Sequence, residues 1–122
     1  MSDPAPSNDL ETEVDLFSLM QAFYADAMID PVLAPKFEEL DLDAHIPVIV
    51  EFWKGVIIGG SNYRGSPLAV HVPLALLAEH FEAWVPLFHR TIDARFQGAN
   101  AETLKSRAVT IAQVFRHQLG ID

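Results

Sequence analysis

Asp41-Leu-Asp-Ala-His45-Ile-Pro47-Val-Ile-Val50-Glu-Phe-Trp53-Lys-Gly-Val-Ile-Ile58-Gly-Gly60 is the stretch on which the fold class turns. Two of its runs, Val48-Ile49-Val50 and Val56-Ile57-Ile58, are β-branched, and such residues favour strands. Over its whole length the stretch has a helical period instead. Ile46, Ile49, Val50, Trp53, Val56 and Ile57 recur on one face. Asp41 and Asp43 can cap its start, and Gly59-Gly60 can end it. Pro47 is compatible with a helix if it lies in the first turn, where its missing N–H is not needed.

The flanking segments follow the same period. Towards the N-terminus, a helix is expected from about Thr12 to Asp30, stopped by Pro31. Thr12 and Asp15 form a capping-box pattern, with Asp in place of the usual Glu. Val14, Phe17, Met20, Tyr24 and Ala27 share a face. Pro31 to Leu42 is expected to be a connection. Residues 1–8 read as a disordered tail, the tail is set at 1–10, and the domain is set at 11–122. Towards the C-terminus, Gly59 to Pro67 is a turn region. A third helix is expected from about Leu74 to Phe96, with Leu77, Phe81, Trp84, Phe88 and Ile92 inward. Pro86 inside it should bend the helix or leave a carbonyl unpaired. The last helix is expected from about Ala101 to Leu119, with Leu104, Ala108, Ile111, Ala112 and Phe115 inward and Gly120 ending it. The class is all-α. Periodicity alone leaves open an antiparallel bundle or a globin-like packing.

Composition narrows the chemistry. The 122 residues are enough for one domain with a real core. Half of them are apolar and mean hydropathy is +0.17, rich enough to line a cavity as well as fill a core. A net charge of −9 disfavours nucleic acid and anionic membrane as partners. There is no cysteine, which excludes disulfides, thiolate-ligated metal and iron–sulfur clusters, and fits a cytoplasmic location. The start of the chain lacks the basic and apolar regions of a signal peptide. No serine sits in a glycine-rich elbow, and Gly59-Gly60 is not followed by a phosphate-loop lysine.

The five histidines, at 45, 71, 80, 89 and 117, show no tight metal-binding spacing. His71 is the unusual one, because Leu68-Ala-Val70 precede it and Val72-Pro-Leu74 follow. An imidazole in so apolar a segment needs a polar partner. It is either a buried histidine satisfied by a backbone carbonyl or an axial ligand to iron. Taken singly, His45 reads as a half-exposed surface residue, and Tyr24 and Trp84 read as core aromatics.

Taken together these residues form an ordered series. It runs Phe23-Tyr24, Asp30-Pro31-x-Leu33-x-Pro35-x-Phe37, His45, Phe52-Trp53, Tyr63-x-Gly65-x-Pro67-Leu68-x-x-His71 and Phe81-x-x-Trp84-x-x-Leu87-Phe88. In order and spacing the series resembles the group III truncated haemoglobins, from about Leu16 to Phe115. The early Gly-Gly pairs of tunnel-bearing group I members are missing. The resemblance implies a shortened globin, a two-over-two helical sandwich that holds haem b non-covalently. It implies His71 as the proximal iron ligand, and Tyr24, His45 and Trp84 as the ligand-facing set. It implies Phe37 flat against the porphyrin, with Phe23, Phe52 and Phe81 as further walls. Tyr63 and Arg64 are candidates for the propionates at the rim.

The implied activity is reversible binding of O2, CO or NO by a monomer or weak dimer, served by an unidentified reductase. A phenol and an indole N–H are donors that would stabilise a polarised diatomic ligand in an apolar pocket. A peroxidase-like or nitric-oxide-consuming enzyme is a separate expectation from the same polar set. A cofactor-free helical interaction module is the alternative of a different class. Pro47 leaves open whether His45 points into the pocket or towards solvent, and Pro86 leaves open how Trp84 approaches it.

Overall fold

The computed structural model of the chain describes residues 8–38, 41–59 and 77–120. These form five helices: α1 (Glu13–Ala27), α2 (Ala34–Phe37), α3 (Leu42–Ile57), α4 (Ala78–Asp93) and α5 (Ala99–Gln118). Among the described residues there is no strand, and the β-branched runs of the opening stretch lie within or at the end of α3. α1 packs on α3, and α4 packs on α5. The two pairs close on each other through α1 against α4 and α3 against α5. This is a two-over-two helical sandwich. No helix among the described residues is long and apolar enough to cross a membrane.

Local signals set most helix ends. Thr12 caps α1: its hydroxyl accepts from the Asp15 N–H, and the Asp15 carboxylate accepts from the Thr12 N–H in return. Asp41, not Asp43, caps α3, its carboxylate accepting from the Ala44 N–H at 3.3 Å. That start places Pro47 beyond the first turn, contrary to expectation. The Asp43 carbonyl therefore lacks its helical donor, but Asp43 and Pro47 are both exposed and water can supply one. Pro86 is likewise exposed, and α4 runs continuously through it. Proline is least disruptive on such a solvent face.

Four further expectations are corrected. Val14 is 75% exposed, while Leu16, Leu19 and Phe23 are buried. α1 serves both α3 and α4, so its buried arc is wide and is centred on the side of the helix away from Val14. Leu77 is also exposed: it is the extended residue before α4, which begins at Ala78 and not at Leu74. The Leu77 N–H donates to His80 Nδ1 at 2.8 Å, so His80 takes the place that Glu holds in a capping box. The connection after Pro31 contains a turn of helix, α2. The Asp30 carboxylate accepts from the Val32 and Leu33 N–H groups and starts that turn.

The fourth correction concerns the tail, because residues 8–10 belong to the fold. Leu10 is fully buried, and the Gln97 N–H donates to the Asn8 carbonyl. Asp9 caps α5 from the far end of the chain, accepting from the N–H groups of Asn100 and Ala101, both at 2.8 Å. Burial opposes ionisation of Asp9, but these bonds and the Leu10 N–H outweigh it and hold the carboxyl below its usual value. A depressed carboxyl stabilises the fold above its unfolded value, and the benefit is lost as pH falls through the folded value. Asp9→Ala is therefore expected to cost about 1–2 kcal/mol near neutrality. The gap to wild type should narrow in acid. Urea midpoints across the acid range check it, and a gap that does not depend on pH would contradict the assignment.

Candidate functional site

The centre of the sandwich is aromatic. α1 delivers Phe23 and Tyr24 side by side, with ring centroids 5.1 Å apart and edge to face. Tyr24 is buried, and burial pushes its phenol well above the usual range. It therefore stays protonated at any working pH. Its Oη lies 2.7 Å from Nε2 of His45 on α3, and the two rings meet edge to face at 5.2 Å. Phe37 of α2 packs against the same Tyr24 ring at 5.6 Å and 84°. The one-turn helix started by Asp30 thus brings Phe37 to the tyrosine. His45, half-buried, points inward to Tyr24 despite Pro47.

The His45 tautomer decides what Tyr24 can do. With Nε2 unprotonated, the hydroxyl donates to the imidazole. With the proton on Nε2, the imidazole donates, and the hydroxyl proton is free for a third group.

On the other side of Phe23 stands Trp84 of α4, at 6.1 Å and 81°. Its indole stacks on Phe88, one turn further along α4, at 5.2 Å and 17°. Phe88 also stacks with Trp53 of α3, at 5.7 Å and 26°. Phe37, Phe52 and Trp84 pack against the core while only partly buried. Phe81 is buried but lies outside the main cluster. The structure therefore brings together Phe23, Tyr24, Phe37, His45 and Trp84. Tyr63, Arg64 and His71 lie outside the described residues. In the sequence Phe88 and Trp53 belong to the apolar faces and to the series that carries the resemblance, with no site role assigned to them. The four-residue spacing of Trp84 and Phe88 on one helix was the signal that they touch.

The family model for bacterial-like globins matches residues 11–118. The group 3 truncated hemoglobin ctb of Campylobacter jejuni is 30% identical over 108 residues, covering 83% of this chain and 85% of that protein. The chain belongs to the group III truncated haemoglobins. The crystal structure of the group III truncated hemoglobin from Campylobacter jejuni superimposes on this globin with a TM-score of 0.80 and 28% identity, covering 91% of this chain and 94% of that one. Four of the globin's histidines lie among the described residues. His45 meets Tyr24, His80 Nδ1 accepts from Leu77, and His89 Nε2 lies 3.1 Å from the Lys105 carbonyl. His117 is exposed near the end of α5. Among the described residues no group of three or more His, Asp or Glu could hold a metal ion.

Proposed function

We propose that this globin holds haem b without a covalent link, through His71, and reversibly binds O2 or another small diatomic ligand such as CO or NO. When bound, haem would be held by the His71 imidazole and would supply an iron atom able to bind a diatomic ligand reversibly. The residues present fit that group. Phe23, Phe37 and Phe52 offer apolar rings, with Phe81 a further wall, and Tyr63 and Arg64 are suited to the propionates. His71 stands in an apolar stretch of the sequence, Leu68 to Leu74, a setting that suits a ligand to iron. Tyr24 Oη and the Trp84 indole N–H are the donors for a polarised ligand. His45 Nε2 directs the Tyr24 proton.

The observation that carries this reading is the Tyr24–His45 contact. A buried, protonated hydroxyl sits on an imidazole nitrogen among aromatic rings, and donors in so apolar a setting act strongly. The same contact favours a second reading, peroxidase-like turnover, because a hydroxyl held on an imidazole can pass a proton and take it back.

The test is the absorption spectrum of the purified protein with haem supplied, oxidised, reduced, and reduced under CO. A Soret band that shifts as for histidine-ligated haem is expected. A protein that binds no haem specifically belongs to the cofactor-free alternative. Tyr24→Phe is expected to raise the O2 dissociation rate by roughly tenfold, the effect of one lost hydrogen bond to a polarised acceptor. Stopped-flow displacement by CO measures it, and an unchanged rate removes Tyr24 from the ligand's side.

A further inference from the structure

Phe88 has no polar atom, and its ring is fully buried, yet it is the ring common to two stacks. It lies near-parallel to Trp84 and to Trp53, and Phe23 meets it edge-on at 5.2 Å and 82°. Phe23 meets Trp84 at almost the same angle. The indole is thus held in one plane by a parallel ring from its own helix and an edge-on ring from α1. Trp53 extends the stack to α3. Aromatic pairs in these geometries favour particular orientations beyond what burial alone provides. An indole N–H lies in the ring plane, so fixing the plane confines the direction in which the proton is offered to that plane.

We propose that Phe88 is a positioning residue for Trp84: its stack with Trp84 and Trp53 aims the indole N–H at the ligand, and so sets ligand retention without touching ligand or haem. The inference rests on the proposed role of Trp84 as a donor. Phe88→Leu removes the ring and keeps an apolar side chain on the same helix.

Two measurements separate the stack from the donor role. The first uses Trp53→Phe protein, whose one remaining tryptophan is Trp84. Fluorescence anisotropy of Trp84 is compared with and without Phe88→Leu in protein as purified, after circular dichroism shows equal helix content. Anisotropy is expected to fall in Phe88→Leu, and equal values overturn the proposal. The second measurement is the O2 dissociation rate of haem-loaded wild type, Phe88→Leu, Trp84→Phe and the double variant. Phe88→Leu is expected to raise the rate by roughly two- to tenfold, as Trp84→Phe does. The double variant is expected to match Trp84→Phe. If the two effects multiply, Phe88 acts through general packing and the proposal fails. If Trp84→Phe changes nothing while anisotropy still falls, the stack stands. The donor role of Trp84 is then wrong, and the proposal falls with it.

Discussion

His71→Gly is expected to lose specific haem binding, and added imidazole is expected to restore it. Without cysteine, the chain cannot replace the ligand with thiolate. The other histidines are engaged elsewhere or sit on the surface. His45 is bonded to Tyr24, His80 closes the start of α4, and His89 ties α4 to the Lys105 carbonyl of α5. His117 is exposed. His45, His80 and His89 cannot take over the axial bond without giving up these contacts, and His117 lies on the surface near the end of α5. Loss of a sole protein–iron bond leaves the apolar walls to hold the porphyrin, and those walls do not discriminate haem from its metal-free form. The variant should therefore bind haem and protoporphyrin about equally, whereas wild type should strongly prefer haem. Imidazole fits the space that glycine vacates and should return the wild-type Soret band. A variant spectrum identical to wild type would show that another group ligates the iron.

What was legible in the sequence was mostly what is local. The Thr12–Asp15 capping box, the Asp41 cap and the Gly120 stop each depend on residues within one turn of each other. The β-branched runs of α3 are outweighed by a longer period, whereas the two-over-two packing is implied by the family resemblance and not by the apolar faces alone. Val14 failed because a period shows that a face exists, while the buried arc is chosen by partners on two sides. The start of α4 failed because His80 imitates a capping glutamate, an exchange that helix-start patterns do not include.

At the site, the resemblance selected Tyr24 and His45 as a set. Their contact joins α1 to α3, and no spacing rule reaches that far. Pro47 suggested that His45 could turn outward, yet that proline faces solvent and leaves the inward side of α3 undisturbed. Phe88 was read correctly as core, but its being shared by two stacks is a property of three helices at once.

The clamp on α5 was the least legible feature, and it carries the largest expected effect on stability. Gly98→Ala is expected to destabilise the protein by about 2–4 kcal/mol. Two costs combine. Gly98 has φ 145° and ψ −172°, a region essentially confined to glycine. A methyl group there would also lie 2.5 Å from Asp9 Cγ and 2.6 Å from its Oδ2. Asp9 would have to withdraw from the Asn100 and Ala101 N–H groups that it caps. Leu10 and the Asn100 side-chain bond to its carbonyl would shift with it. For a domain of this size the loss should lower Tm by roughly 10 °C.

The two costs can be separated in the Asp9→Ala background. There the cap is already gone and the conflict is reduced to the residue-9 Cβ, 2.7 Å from the added methyl group, so Gly98→Ala should cost less, chiefly the backbone term of about 1–3 kcal/mol. Equal effects of Gly98→Ala in both backgrounds would mean that the methyl group never meets Asp9. Residues 8–10 would then be a passenger on α5 instead of its cap. Haem-loaded protein should show the same ordering of midpoints, because the clamp lies at the α4–α5 corner and uses none of the residues assigned to the pocket.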